Sequence, residues 1–203
     1  MRRQVKEKAE RALGQKLFLK AERCNSPKCV TVRRPYRPGQ HGKDRQRRGG
    51  SDYGRQLKEK QKLQLSYGLN NRQLRIMFRE KGGDPAHVVT TLEGRLDRVT
   101  YLLGFTLSMR IARQAVSHGH ILVNGRPVTV SSYAVRKGDV IRVRPESLGK
   151  TLFAGLMERL SRYTPPAWLA MTPEKAEGIR VGNPLPEAFG AFDMGLVGQF
   201  YTR

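Results

Sequence analysis

Residues 95–144 read RLDRVTYLLGFTLSMRIARQAVSHGHILVNGRPVTVSSYAVRKGDVIRVR. Ser108 stands before MRIARQAVSHG, where the spacing predicts a helix with Ile111, Ala112 and Ala115 inward and Arg110, Arg113, Gln114, Ser117 and His118 outward. Surface helices normally interleave acids with bases, and this one has no acid, so it reads as a face for phosphate. Its N-terminal amides add to that attraction. Asn124-Gly125 lies between apolar runs and predicts a hairpin turn with both central residues at positive φ. Lys137-Gly138-Asp139 predicts a second turn, and VIRVR (140–144) alternates like a strand with one buried face. His118 and His120 flank Gly119 without a carboxylate or cysteine arrangement beside them. They read as hydrogen-bonding groups toward RNA or backbone rather than as catalytic or metal-binding ones.

The whole chain supports a polyanionic partner. Its 203 residues carry 39 Lys/Arg against 17 Asp/Glu, a formal charge of +22. So much positive charge repels itself unless it meets nucleic acid or an anionic membrane. The distribution is uneven: net +12 over residues 1–50, net +10 over 51–144 and zero over 145–203. The last part therefore suits packing on the chain or on a protein. No apolar run has the roughly 18–20 residues of a membrane span, and the first residues lack a signal-peptide apolar region. Two cysteines in a long basic chain do not make a disulfide scaffold, which favours a reducing compartment.

Upstream, residues 1–50 offer little for a core. Val5, Ala9 and Leu13 allow one short helix, and KLFLK (16–20) is a brief apolar knot. The Pro-, Gly- and Arg-rich remainder is expected to be largely disordered alone and to order on RNA. Arg33, Arg34, Arg37, Arg47 and Arg48 would meet phosphates, while Tyr36 and His41 would stack. Cys24 and Cys29 supply half of a four-ligand zinc site; His41 is a third candidate and no fourth is evident, so no metal is expected.

Ser51 or Asp52 can cap a helix ending at Gly68, and Asn70 or Asn71 a second, stopped by Gly82-Gly83. Asp84 with Pro85 can start a third, whose Val88, Val89, Leu92, Leu96, Val99 and Leu103 run to Gly104. The opposite faces of these helices carry Arg55, Lys58, Lys60, Lys62, Arg72, Arg75 and Arg79, among which acids are few. Beyond Pro145, the pattern of Leu152, Phe153, Leu156 and Leu160 predicts another amphipathic helix, broken at Pro165-Pro166. Trp168-Leu169 reads as a core anchor and 172–195 as loop with short strands. The apolar end LVGQFYTR is expected to dock on the helices of 53–103 or on a neighbouring protein.

Several motifs in order resemble one family: KLFLKAERC, RPYRPGQHG, SDYGRQLKEKQKL, RLDRVTYLLGF, ARQAVSHGHILVNG, SYAVRKGDVIRV, Trp168-Leu169 and the terminal FYTR. The chain resembles the bacterial type of small-subunit ribosomal protein four. Its central stretch is similar to the RNA-binding module named after that family. The resemblance implies an α+β fold with an extended basic N-terminal arm (1–50) and a small helical domain (51–92) completed by residues 183–203. Between them would be inserted an α+β RNA-binding module with an antiparallel sheet and its extension (93–182). It implies a structural protein that binds small-subunit ribosomal RNA directly and nucleates assembly of the subunit body. It also implies an effect on decoding accuracy, with ribosomal proteins three and five as neighbours and mRNA nearby where it enters. Phe200, Tyr201 and Arg203 would form a protein interface.

Two departures stand out. Family members often carry a C-x-x-C pair before KLFLK; here that region is QVKEKAERALG, so the zinc site is not carried over. Ile111 stands where family members often have an acid, which leaves that helix more basic.

From residues and resemblance together, the expected RNA contacts are Arg33, Arg34, Arg37, Arg47, Arg48, Arg55, Lys58, Lys62, Arg72, Ser108, Arg110, Arg113, Gln114, His118, His120, Asn124 and Arg126. No cofactor, catalytic residue, small-molecule substrate or membrane is expected. The expected home is the small ribosomal subunit of the cytoplasm, or of an organelle. An enzyme gripping RNA through the same module, such as a pseudouridine synthase, would need a catalytic domain that the chain has no room for. The alternative reading is a free-standing RNA chaperone or ribosome-rescue factor with this module; such factors are usually shorter and lack the long arm.

Overall fold

The computed structural model describes residues 6–19, 21–43, 51–80, 84–184 and 192–201. In chain order the helices are α1 (Lys6–Leu13), α2 (Ala21–Asn25), α3 (Val30–Arg33), α4 (Asp52–Tyr67), α5 (Asn71–Glu80), α6 (Pro85–Glu93), α7 (Leu96–Leu102), α8 (Met109–Ser117), α9 (Leu156–Ser161) and α10 (Met194–Tyr201). The strands are β1 (Ile121–Val123), β2 (Arg126–Pro127), β3 (Val140–Val143), β4 (Leu169–Thr172) and β5 (Glu177–Arg180). Two compact units result: residues 1–85 with 191–203, and residues 86–190.

In the first unit, α4 starts where Ser51 Oγ accepts the Gly54 amide at 3.2 Å, and stops at left-handed Gly68. Asn70 rather than Asn71 caps α5. Its Oδ1 accepts the Gln73 amide at 2.7 Å while Gln73 Oε1 accepts the Asn70 amide at 3.0 Å, a reciprocal cap that satisfies two orphan donors. α10 docks against α4 and α5. Phe200 lies 5.7 Å from Tyr53, and Tyr201 stacks on Phe78 at 5.1 Å and donates to Asn71 Oδ1 at 3.1 Å. The apolar chain end thus packs its aromatics, half-buried, on its own helices.

The basic first segment holds more structure than its composition predicts. Besides α1 it forms α2 and α3, with Leu19, Cys24 and Cys29 buried and polar contacts beside them. Buried Glu10 accepts the amides of Leu17 and Leu19 at 3.0 and 3.2 Å. Arg11 donates to the carbonyls of Tyr36 and Arg37 at 3.0 and 3.3 Å.

The second unit is the α+β part. Its five strands are in the order β2-β1-β3-β5-β4, every pair antiparallel. Leu96, Val99 and Leu103 of the α7 segment, Ala115 and Val116 of α8, and Leu156 and Leu160 of α9 share one core with Ile121, Ile141, Val143, Phe153 and Trp168.

Two predicted helices are each broken once. The stretch 85–104 is two helices, because Arg95 is extended and bridges Ala134. The Leu96 amide donates to Tyr133 O at 2.8 Å and the Val135 amide to Gly94 O at 2.9 Å, so long-range pairing takes over two helical hydrogen-bond positions. A Cβ at Gly94 would be tight, 3.0 Å from both Arg180 Nη1 and Thr90 O. Leu152–Leu160 breaks at Gly155, which is left-handed (φ 65°) and separates a 3-10 turn at Thr151–Phe153 from α9.

Candidate nucleic-acid interface

In the second unit, α8 keeps part of the orientation its spacing predicts: Ile111, expected inward, is only half-buried and Val116 is buried in its stead. Ala112, Ala115 and Val116 are buried, Arg110 and Arg113 half-buried, and Gln114, Ser117 and His118 exposed. Ser108 caps α8 from a buried position, accepting the Ile111 amide at 3.4 Å, so its hydroxyl serves the helix end rather than the surface.

The Asn124-Gly125 turn has both residues at positive φ, 50° and 78°. Asn124 is committed to that turn: Nδ2 donates to Asp139 Oδ1 at 2.9 Å and Oδ1 accepts the Val140 amide at 2.9 Å. Arg126 beside it is exposed. His120 is buried, with Nδ1 3.0 Å from Ser147 Oγ. Ser108, His120 and Asn124 each make a hydrogen bond within the chain, Ser108 and His120 from buried positions and Asn124 from an exposed turn.

Cations beyond the expected set are exposed on the same unit. Arg142 and Arg144 alternate with buried Ile141 and Val143 along β3 and its end, and Arg136, Lys137 and Lys150 are exposed as well. The VIRVR alternation was the signal for the first two. Arg95 is the converse, a basic residue inside: it grips Asp97 through two hydrogen bonds of 3.0 and 2.7 Å, both side chains being buried. Arg98 does the same with buried Glu93 at 2.9 and 3.0 Å. Arg180 points into the unit, donating to the carbonyls of Val135 and Gly182 while packing over the Trp168 ring.

In the first unit, Arg33, Arg34 and Arg37 are exposed, as are Lys58, Arg72, Arg75 and Arg79. Arg55 is exposed and paired with Asp52 of its own helix. Lys62 differs from the expectation of an open charge: it is buried and its Nζ lies 2.7 and 2.9 Å from the Glu59 carboxylate. Lys60 is buried over the Phe200 ring at 4.2 Å, and burial pushes its pKa down. Tyr36 is half-buried, with the Arg11 guanidinium 4.9 Å and the Lys43 ammonium 5.4 Å from its ring. A cleft of about 270 Å³ opens there, and its charged lining residues, Arg11, Arg37 and Lys58, are all cations.

Arg47, Arg48 and Arg203 lie outside the described residues. Cys24 and Cys29 are buried free thiols, and the described residues contain no group of three or more potential metal ligands. No helix among them is long and apolar enough to cross a membrane.

Comparison with known proteins agrees with this arrangement. Residues 2–100 match the family described as ribosomal protein S4/S9 N-terminal domain, and residues 94–141 match the S4 domain. Over 195 residues the chain is 46% identical to the small ribosomal subunit protein uS4 of Thermus thermophilus, covering 94% of this chain and 93% of that one. The uS4 protein of Halothermothrix orenii is 43% identical over the same shares. That of Roseiflexus sp. is 42% identical over 203 residues, 97% of this chain and 96% of the relative. With identity of that level along nearly its whole length, the chain belongs to the uS4 family of small ribosomal subunit proteins.

Proposed function

We propose that the chain is a structural protein of the small ribosomal subunit in the cytoplasm, and that it binds small-subunit ribosomal RNA directly. The observation that carries this is the acid-free helix α8 beside the Asn124-Gly125 hairpin. There Arg110, Arg113, Gln114, His118 and Arg126 are presented by a backbone locked through buried caps and turn bonds. Held charge of one sign suits the phosphate backbone of folded RNA, whose shape, more than its base edges, is what a protein can read. Arg33, Arg34 and Arg37 of the arm, with Lys58, Arg72 and the paired Arg55, add a second basic surface. That the relatives are named as ribosomal proteins supports a structural rather than a catalytic role.

Finer roles follow from the family. They are nucleating assembly of the subunit body, contacting ribosomal proteins three and five, and influencing decoding accuracy near the mRNA. The described aromatics Phe200 and Tyr201 are engaged by the chain's own helices, so a protein interface there would use their remaining exposed edges.

The test is binding of the purified chain to a small-subunit ribosomal RNA transcript across a salt series, with chemical probing of the RNA. Counterion release predicts an affinity that falls steeply, by roughly 0.7–0.9 in log–log slope per phosphate neutralised. Affinity nearly independent of salt, or no protected nucleotides, would overturn the reading. Arg126→Ala should weaken binding with an unchanged melting temperature. Loss of both together would make Arg126 part of the scaffold.

A further inference from the structure

One corner of the second unit gathers four protonatable or cationic side chains. Strand pairing begins it. The Arg144 amide donates to His120 O at 2.9 Å, which extends the β1–β3 register and puts residues 120 and 144 opposite each other with side chains on one face. After β3 the chain folds over that face. The 3-10 turn Pro145–Ser147 brings Ser147 Oγ to 3.0 Å from His120 Nδ1, and the Lys150 amide then donates to Ser147 O at 3.0 Å. The His118 ring lies 5.9 Å from that of His120 and the Phe153 ring 6.0 Å, both edge-on. His120 is thereby only 8% exposed, while His118, Arg144 and Lys150 stand exposed around it. Glu146, itself exposed, pairs with Arg144.

We propose that this corner is a phosphate site for the RNA backbone, formed by His118, Arg144 and Lys150, and that filling it loads a proton from solvent onto His120. The proposal rests on the RNA-binding reading and deepens it. Without a ligand, burial holds the His120 pKa below its usual value, and Lys150, His118 and Arg144 push the same way. A phosphate beside Arg144 and Lys150 reverses the local field. It also displaces the exposed Glu146 from Arg144, an exchange that costs little at a solvent-facing pair. The imidazolium is then favoured where neutral imidazole was, so binding and proton uptake are linked.

The experiment uses the full chain and a labelled small-subunit ribosomal RNA transcript at constant ionic strength from pH 5.5 to 8.0. Calorimetry in two buffers of different ionisation enthalpy counts the protons. Affinity should be about three- to tenfold tighter at pH 6 than at pH 8, with up to about one proton taken up. Lys150→Gln should weaken binding about threefold and flatten the salt slope by roughly 0.7–0.9. His118→Asn should reduce the pH dependence, and His120→Asn, checked first for a retained melting transition, should reduce it further. His87→Asn should leave it intact. Because His118 and Lys150 are exposed, their variants report even if His120→Asn fails to fold. Salt-dependent binding that is the same at pH 6 and pH 8, or pH dependence unaltered by His118→Asn and Lys150→Gln, overturns this inference alone. Absence of RNA binding at any pH overturns the RNA-binding reading and this inference with it.

Discussion

Two arginine-rich stretches look alike in sequence and behave in opposite ways. In GRLDR (94–98) the guanidiniums turn inward: Arg95 is held by Asp97 and Arg98 by Glu93, with the carboxylates buried. In RRPYR (33–37) Arg33, Arg34 and Arg37 stay exposed. The difference is the acid. A carboxylate two residues away lets Arg95 enter the core with its charge matched and its donors filled. No acid lies within RRPYR, and Pro35 interrupts the helical hydrogen bonding that would draw the segment into a packed element. Arginine count alone therefore says little about RNA contact; the acid beside it decides which way the charge faces.

The sharpest way to break the contrast is Asp97→Ala. It leaves the buried Arg95 unpaired and should destabilise the second unit by about 3–5 kcal/mol, read by chemical denaturation. A loss below about 1 kcal/mol would mean that Arg95 escapes to solvent and that the two stretches differ less than their burial indicates.

The mirror experiment replaces Arg33 and Arg34 together by Ala. RNA affinity should fall on the order of 10- to 100-fold at physiological salt, with the melting temperature of the chain almost unchanged. If melting drops and binding does not, the arm's arginines are structural after all.

Glu10→Ala tests a place where the arm behaves like the core. Removing the acceptor for the Leu17 and Leu19 amides should cost about 1–2 kcal/mol locally. The check is faster hydrogen exchange at those two amides, with protection in the second unit unaffected.

The smallest effect belongs to Tyr201→Phe, which deletes the hydrogen bond to Asn71 and should cost about 0.5 kcal/mol. Burial raises the Tyr201 pKa to about 12. The folded value lies above the unfolded one, so this contribution is complete below pH 10 and is lost as pH rises from 10 toward 12. The wild-type chain should show that alkaline loss of α10 docking, and the Phe variant should lack the Tyr201 part of it.

Much of the local structure was legible because local chemistry specifies it. Ser51 and Gly68 bound α4, and Asn124-Gly125 turns the hairpin, through hydrogen bonds and backbone angles available within a few residues. The breaks at Gly94 and Gly155 were not legible. Apolar spacing runs through both, and at the first a bridge to Ala134, some forty residues away, overrides helical continuity. The candidate interface divides the same way. The outward set on α8 followed from helical spacing. Lys62, Ser108, His120 and Asn124 instead have partners in the fold, and three of those partners, Ser147, Asp139 and the Val140 amide, come from chain 15 to 27 residues away.

By itself the sequence determined the charge of the molecule, the pattern of its helices and turns, and the family to which its motifs belong. These depend on side-chain type and short-range spacing. Only the tertiary structure decided which polar groups face solvent and which are spent inside. A buried donor or charge is tolerable only beside a partner, and for His120 that partner is brought by the chain folding back after β3.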